Sequence, residues 1–322
     1  MRVIKNNQSP LADYEFSAKP WRIFQLSIFL LLPLFSPVRA NDLSTNTTVR
    51  ILESFGDPTR IVARPLVQLA TDEQGNSFGI YPYEGSHGCG ALVRIEATPE
   101  SYRILHYFGE GSAGDGCVPN SLLYDAASRR LFGTTAAGTI PGGENGTLYE
   151  VNTDGGGYRI LGLFSRVGAV GGVTPTGQLT LHPDRNIYGI ARQGGVQTTY
   201  WLFRWNHASS ELEMVHELDL DKSGGGDAAG LTATADGLFL TRLGSWGAWL
   251  VKLSLPDFKE TPLWDFSNIY LESPTQAPVW DPAAGLLIGC TQNGGRTTRG
   301  TIYTIRSPAA GSQTGACVGL SR

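Results

Sequence analysis

The chain has 322 residues, of which 41% are apolar and only 17% are charged, and this balance excludes an intrinsically disordered protein. Abundant glycine (41 residues), 10% aromatic residues and only two methionines are typical of an all-β protein with many tight turns. The formal net charge of −4 argues against binding to the phosphate backbone of nucleic acids.

Residues 1–40 have the pattern of a secretory signal peptide, in which a basic leader precedes a nearly continuous apolar run at 23–35. The run is shorter than the roughly 20 residues that a membrane-spanning helix needs. We therefore expect cleavage after Ala40 and a secreted, periplasmic or cell-surface protein with no membrane span. An uncleaved membrane anchor is the alternative. Without residues 1–40 the chain carries 20 basic and 27 acidic residues, a net charge of −7.

The rest of the chain, 41–311, reads as one domain in which a unit of roughly 50 residues recurs. Each unit contains four short strand-like segments, which we label A to D from the inside outwards. One recurring feature is an aromatic or aliphatic residue followed by glycine in segment B, as in Phe78-Gly79, Phe132-Gly133 and Tyr188-Gly189. A four-stranded unit of this length is typical of a β-propeller blade.

These units predict an all-β, five-bladed β-propeller of four-stranded blades. The last blade supplies only three strands, and its missing D strand matches residues 49–55, so we expect that N-terminal strand to pair into the last blade and close the ring. A truncated array or an open stack of sheets is the alternative. Residues 312–322 are predicted to form a C-terminal tail. The predicted blades occupy about 65–108, 119–164, 175–218, 228–266, and 278–305 plus 49–55.

The repeat resembles the GloVer tandem repeat of bacterial exported proteins. The second unit carries the resemblance best, and the first and fourth units match poorly. The resemblance implies export and a propeller-like repeat fold, and it implies no assigned reaction. The matching segments are Leu105-His106-Tyr107-Phe108, Leu131-Phe132-Gly133-Thr134-Thr135 and Gly146-Thr147-Leu148-Tyr149.

In a propeller the D–A and B–C loops share one face, and the short A–B and C–D turns share the other. The D–A and B–C loops of this chain are long and glycine-rich, and long loops on a rigid scaffold are where binding residues concentrate. Aromatic rings there can stack on sugars or grip a protein, although they can also pack the loops onto the blades. The candidate ligand-binding residues are Tyr81, Tyr83, Asp115, Asp227, Trp246 and Tyr270.

No motif with catalytic spacing is present, and the five histidines form no constellation in the sequence. The sequence therefore predicts no catalytic residue, no metal ligand and no cofactor, and it leaves open a structural Ca²⁺ in the central channel. The favoured function is a secreted, non-catalytic binding module, expected to be a monomer, for a glycan or a protein. The alternative is a carbohydrate- or lactone-active hydrolase or lyase with its site at the central channel, because propellers host both classes.

Four cysteines in an exported chain suggest disulfide bonds, and four cysteines allow three pairings. We predict a Cys89–Cys117 bond because both residues fall on loops of the same face at neighbouring blades. We also predict a Cys290–Cys317 bond, which would fix the tail over the last blade.

Overall fold

A computed structural model describes residues 69–306 of the chain, except for loop segments. Contacts divide the chain into two compact units, Met1–Arg50 and Ile51–Arg322, and every described residue belongs to the second. The predicted signal peptide, the closing strand 49–55 and the tail 312–322 lie outside the described residues. The undescribed positions within 69–306 are 84, 86, 98–100, 111–114, 139–144, 165–172, 194–198, 219–226, 245–246, 267–273, 275 and 294–299.

Nineteen strands are described, and they form five antiparallel sheets, each built from strands that follow one another in the chain. The first sheet contains β1 (Leu69–Thr71), β2 (Ser77–Tyr81), β3 (Ala91–Glu96) and β4 (Ser101–Tyr107). The second contains β5 (Cys117–Asp125), β6 (Arg130–Ala137), β7 (Thr147–Asn152) and β8 (Arg159–Leu163). The third contains β9 (Val173–Leu181), β10 (Ile187–Gln193), β11 (Thr199–Asn206) and β12 (Glu211–Leu218). The fourth contains β13 (Asp227–Thr234), β14 (Gly237–Gly244), β15 (Gly247–Leu253) and β16 (Glu260–Asp265). The fifth contains β17 (Val279–Asp281), β18 (Leu286–Thr291) and β19 (Thr301–Arg306).

The first strand of each sheet contacts the first strand of the next, from β1 to β5, β9, β13 and β17 in turn. These strands therefore lie innermost, and the later strands of each sheet extend outwards as in the blades of a propeller. The predicted all-β, propeller-like fold with five sheets is confirmed. The predicted fourth strand of the last sheet is outside the described residues, so closure of the ring by that strand stays a prediction.

The hydrophobic core lies between neighbouring sheets, and a leucine of each of the inner strands β5, β9 and β13 packs on the sheet before it. Leu122 shares a buried cluster with Phe78, Ile80 and Leu92 of the first sheet. The same arrangement recurs between the second and third sheets and between the third and fourth. Because both sides of a blade are covered in this way, its central strands are apolar on both sides. Leu179 shares a buried cluster with Phe132 and Leu148 of the second sheet, and Leu231 shares one with Tyr188, Ile190 and Leu202 of the third.

In the second, third and fifth sheets the glycine of strand B has a packing reason, because an aromatic ring of strand C lies over it. Gly133 is paired with Tyr149, and a Cβ placed at Gly133 would lie 2.2 Å from the Tyr149 Oη and 2.7 Å from the Ser121 carbonyl oxygen. A glycine opposite an aromatic residue thus brings the ring down onto the backbone. The same pairing joins Gly189 to Phe203 and Gly289 to Tyr303.

The threonines of the repeat join the end of strand B to the start of strand C, directly below the B–C loop. In the second sheet the Thr135 hydroxyl donates to the Ala137 carbonyl (2.9 Å), and it accepts from the Thr147 amide (3.1 Å). The two threonine hydroxyls are 2.8 Å apart. The fifth sheet repeats the hydroxyl pair with Thr291 and Thr301, also at 2.8 Å. These bonds hold both ends of the loop in register.

In the A–B turns, polar side chains accept hydrogen bonds from the backbone of their own turn. In every sheet the first residue of the turn accepts a hydrogen bond from a backbone amide further along the same turn. This face of the molecule is therefore scaffold. The acceptor and amide pairs are Asp72 and Asn76, Asp125 and Ala127, His182 and Asp184, Thr234 and Asp236, and Asp281 and Ala283.

One ion pair joins the turns of the second and third sheets. Both terminal nitrogens of the Arg185 guanidinium, Nη1 and Nη2, donate to the buried carboxylate of Asp125. The same carboxylate accepts a hydrogen bond from the Ser128 hydroxyl at 2.5 Å. Burial opposes ionisation of Asp125, but the bonds from Arg185 and Ser128 outweigh it and hold the pKa of the carboxyl at about 2.

Substitution of Gly133 tests the close approach of the aromatic ring. We expect Gly133→Ala to reduce the free energy of unfolding by about 3 kcal/mol, because the new methyl group meets a fully buried ring and a carbonyl. Gly177→Ala is the control, since Gly177 has a φ of +73° and nothing near its Cβ position. It should lose only the strain of a left-handed residue, about 1 kcal/mol. Equal losses in denaturant titrations would contradict the packing argument.

Substitution of Arg185 tests the ion pair, and substitution of Arg129 is the matched control. Both arginines occupy left-handed turn positions, with φ of 53° for Arg129 and 73° for Arg185. Arg185→Gly leaves the Asp125 carboxylate buried without its guanidinium and should cost about 2 kcal/mol more than Arg129→Gly at pH 7. The folded pKa of Asp125 is depressed, so the stability it contributes is present above about pH 4 and is lost as the pH falls towards 2. The difference between the two variants should therefore shrink over that range in thermal melts. A difference that is constant with pH would show that Asp125 is not the partner that matters.

Candidate functional site

A disulfide bond joins the B–C loop of the first sheet to the inner strand of the second. Cys89 and Cys117 are both buried, with Cα atoms 4.4 Å apart, and the bond confirms the first predicted pairing. Beside it the Val118 amide donates to the Cys89 carbonyl (2.7 Å), and the Phe108 amide donates to the Gly90 carbonyl (2.9 Å). The covalent bond and the two hydrogen bonds fix this loop to two sheets at once.

The fixed loop and the adjacent end of β4 each carry an exposed aromatic ring. We call the described part of 82–90, together with Tyr107, Gly109 and Glu110, the stapled loop surface. Tyr83 is 42% exposed and Tyr107 is 38% exposed, although both are large aromatic residues. The Cβ position of Gly85 lies 3.0 Å from the Tyr107 ring and 3.5 Å from a Glu110 carboxylate oxygen, so the loop backbone lies against both. The Tyr107 ring and the Glu110 carboxylate thus lie against the loop that carries Tyr83.

Beneath this surface, three side chains pack between the first and second sheets. The rings of His106 and Tyr158 are stacked with centroids 3.8 Å apart and planes 9° apart. The Tyr158 hydroxyl donates to the Asp115 carbonyl oxygen, and the Asp115 carboxylate accepts from the Gly109 amide at 2.9 Å. Asp115 also lies 3.5 Å from the His106 Nε2. The D–A loop is thereby held at both of its ends.

Burial determines the protonation of this cluster. It lowers the pKa of His106 below its usual value, against the opposite pull of the Asp115 carboxylate, so the imidazole is neutral at pH 7. Burial also raises the pKa of the Tyr158 phenol above its ordinary value. The neutral, stacked imidazole and the phenol support the loop above them. The geometry therefore gives His106 a structural role.

The structure brings only some of the predicted ligand-binding residues together. Tyr83 is exposed on the stapled loop surface, and Tyr81 is half-buried at the end of β2. The Asp115 side chain is largely buried and its carboxylate binds the loop backbone, so it forms part of the scaffold. The Asp227 side chain and the whole of Trp246 and Tyr270 lie outside the described residues, and their roles stay predictions.

Tyr107 was missed by the sequence reasoning, which treated Leu105–Phe108 only as a strand motif. Alternation along β4 could have found it. His106 and Phe108 face the neighbouring sheet and pack edge to face with ring centroids 4.9 Å apart. The residue between them must then point to the other side, towards solvent.

Cys290 is a free, exposed thiol in β18, whereas the second predicted disulfide pairs it with Cys317. Position 317 lies outside the described residues, so this pairing stays a prediction. Within the part of the chain that the structure describes, no group of three or more His, Cys, Asp or Glu side chains is placed to hold a metal ion. Among the same residues, no helix is long and apolar enough to cross a membrane.

The fold and the sequence together show the class and the family of this protein. The architecture of five radial antiparallel sheets is that of a propeller-like repeat protein. The model of the Gloeobacter/Verrucomicrobia repeat matches residues 42–247, and the chain belongs to this family. That match confirms the resemblance to GloVer repeats. No protein among those with curated descriptions matches the chain.

Several solved structures are similar to the chain at low sequence identity. A puromycin-hydrolysing peptidase of Mycobacterium tuberculosis is 12% identical with a TM-score of 0.50, and the match covers 79% of this chain and 36% of that one. A nidogen/laminin complex is 14% identical with a TM-score of 0.49, covering 76% of each chain. TolB from Acinetobacter baumannii is 14% identical with a TM-score of 0.47, covering 79% of this chain and 56% of TolB. The chain thus spans only part of the peptidase and of TolB.

Removal of the disulfide should loosen the stapled loop surface as well as the fold. The bond spans a sequence separation of 28 residues, so the double substitution Cys89→Ala/Cys117→Ala should lower the free energy of unfolding by roughly 3 kcal/mol. Hydrogen exchange of the described amides in 82–90 should accelerate under native conditions, while exchange in β10 and β11 stays slow. Unchanged loop exchange in the variant would show that the hydrogen bonds alone hold the loop.

Proposed function

We propose that the protein is an exported, non-catalytic binding propeller that recognises a glycan or a protein on its loop face. The observation that carries this proposal is the exposed ring of Tyr83 on a loop fixed by a buried disulfide, together with the exposed ring of Tyr107 at the end of β4 against the same loop. Export rests on the leader sequence at 1–40 and fits the disulfide, because such bonds persist in oxidising compartments.

The chemistry of the stapled loop surface suits recognition. A phenol ring offers an apolar face that packs against the C–H groups of a sugar ring, and its hydroxyl reaches a polar partner. The Glu110 carboxylate beside Tyr107 accepts hydrogen bonds from sugar hydroxyls or from a protein backbone. Because the loop is already ordered by the Cys89–Cys117 bond, binding loses little conformational entropy.

The alternative, a hydrolase or lyase at the central channel, calls for a channel carboxylate or another reactive group as its catalyst. The described carboxylates next to the stapled loop surface divide into two kinds. Asp115 is committed to the Gly109 amide, and Glu110 is exposed next to Tyr107. This division favours a binding surface over an acid–base pair.

A binding experiment with matched variants tests the proposal. The full mature chain is applied to an array of bacterial, plant and animal glycans and to immobilised cell-surface protein extracts, and the affinity for the best probe is measured by calorimetry. Tyr83→Ala and Tyr107→Ala should each weaken binding about tenfold, because each removes a stacking surface.

The control is His207→Ala, which removes an exposed ring on the opposite, turn-bearing face and should leave the affinity unchanged. Affinities that are insensitive to both tyrosine substitutions would place the ligand elsewhere. Turnover of a glycoside or lactone panel by the parent chain would replace the binding proposal with the hydrolytic one.

A further inference from the structure

The stapled loop surface places a carboxylate beside an exposed aromatic ring. The Cβ position of Gly85 lies 3.0 Å from the Tyr107 Cδ1 and 3.5 Å from the Glu110 Oε1. The sum of these two distances bounds the separation of the ring atom and the carboxylate oxygen at 6.5 Å. Tyr107 and Glu110 are both exposed, so a ligand can reach both. An aromatic face with a carboxylate beside it attracts a cation, through the ring quadrupole and through opposite charge.

The first two sheets have their positive charges at the opposite end, next to the turn-bearing face. Residues 69–164 contain five arginines and no lysine. All five arginines lie in the A–B turns or in the halves of the strands next to that face. Two of them are also held by one carboxylate, because Arg94 and Arg103 lie 2.9 and 3.4 Å from the oxygens of Glu96. The five are Arg94, Arg103, Arg129, Arg130 and Arg159.

The loop end of the same two sheets carries carboxylates instead. Glu110 is exposed on the stapled loop surface, and Asp115 lies beneath that surface. His106 lies 3.5 Å from the Asp115 carboxylate, and burial lowers the pKa of this imidazole, so it adds no positive charge at pH 7. The resulting negative potential raises the local concentration of cations and repels anionic groups such as uronates and sulfates.

The extent of the surface favours a glycan over a protein. A stable protein interface buries about 800 Å² on each partner around an apolar centre. Among the described residues, the exposed large apolar side chains of the loop face are those of Tyr83 and Tyr107. Two phenol rings are enough to stack on one or two sugar rings. The other exposed large apolar residues lie in β1 and in the fifth sheet, and they are Leu69, Val279, Ile288 and Ile302.

Building on the binding function proposed above, we infer that the ligand is a glycan with free amino groups, such as a polymer of glucosamine. A sugar ring of the glycan stacks on an exposed tyrosine ring, and a protonated amine lies next to the Glu110 carboxylate. Bonds that Glu110 makes within the protein leave capacity for this contact, because a carboxylate has about four acceptor sites. Neutral N-acetylated glycans and acidic glycans lack the cation and bind more weakly.

A comparison of a free-amine glucosamine hexamer with its N-acetylated form tests the inference. The full mature chain is titrated with each by calorimetry in one weakly acidic buffer, in which the amines are protonated. We expect the free amine to bind about tenfold more tightly in low salt, and the difference to shrink in high salt, which screens an exposed ion pair. Glu110→Gln keeps the shape of the side chain and removes its charge, so it should abolish this preference and leave the affinity for the acetylated hexamer unchanged. The control is Glu211→Gln, which removes the same charge from an exposed position of the third sheet and should retain the preference.

The outcomes separate the amine preference from the binding function. Equal affinities for the two hexamers, each weakened by Tyr83→Ala, would overturn the preference and leave the binding function standing. A preference that survives Glu110→Gln would also overturn the inference. Binding of neither hexamer would overturn it as well, and the glycan array would then decide the binding function by itself. A lysine hexapeptide that binds more tightly than the free-amine hexamer, and that depends on Glu110, would replace the glycan with a protein ligand.

Discussion

Burial of apolar side chains between consecutive sheets is the interaction on which this molecule depends. Each sheet is a few strands wide and apolar on both sides, so it gains stability only from neighbours on both sides. Leu122 shows the rule, since it belongs to the second sheet and is buried by the first. At about 25 cal/mol per Å² of apolar surface, a fully buried leucine contributes roughly 2 kcal/mol, and the contribution is repeated at every sheet boundary.

The same constraint divides the two faces of the propeller. On the turn face, polar side chains such as Asp72 and Asp281 are used up by the backbone of their own turns. The Asp125–Arg185 pair adds a link between neighbouring turns there. On the loop face, the polar contacts of Asp115 and Tyr158 support the loop from below and leave the rings above them open. The proposed recognition site is therefore on the loop face.

The repeated motif has a definite physical content. In three sheets a strand C ring occupies the side-chain space of the strand B glycine, and in the second sheet the threonine hydroxyls bond the two strands below the loop. The fourth sheet departs from the motif, with Leu240 in the glycine position. There the buried Arg242 donates to Glu260 of β16 at 2.6 Å, an ion pair within the sheet.

The sequence by itself determined the strands, their grouping into five sheets, the turn chemistry and the Cys89–Cys117 bond. All of these follow from spacing along the chain, because a repeat fixes which residues are equivalent. Tertiary structure decided what each loop residue does. Asp115 and Tyr83 are both loop residues with polar groups, yet one is buried under the loop and the other is exposed on it. That difference depends on which neighbours the folded chain brings within a few ångströms, such as Tyr158 from the next sheet, and no local pattern encodes such a contact.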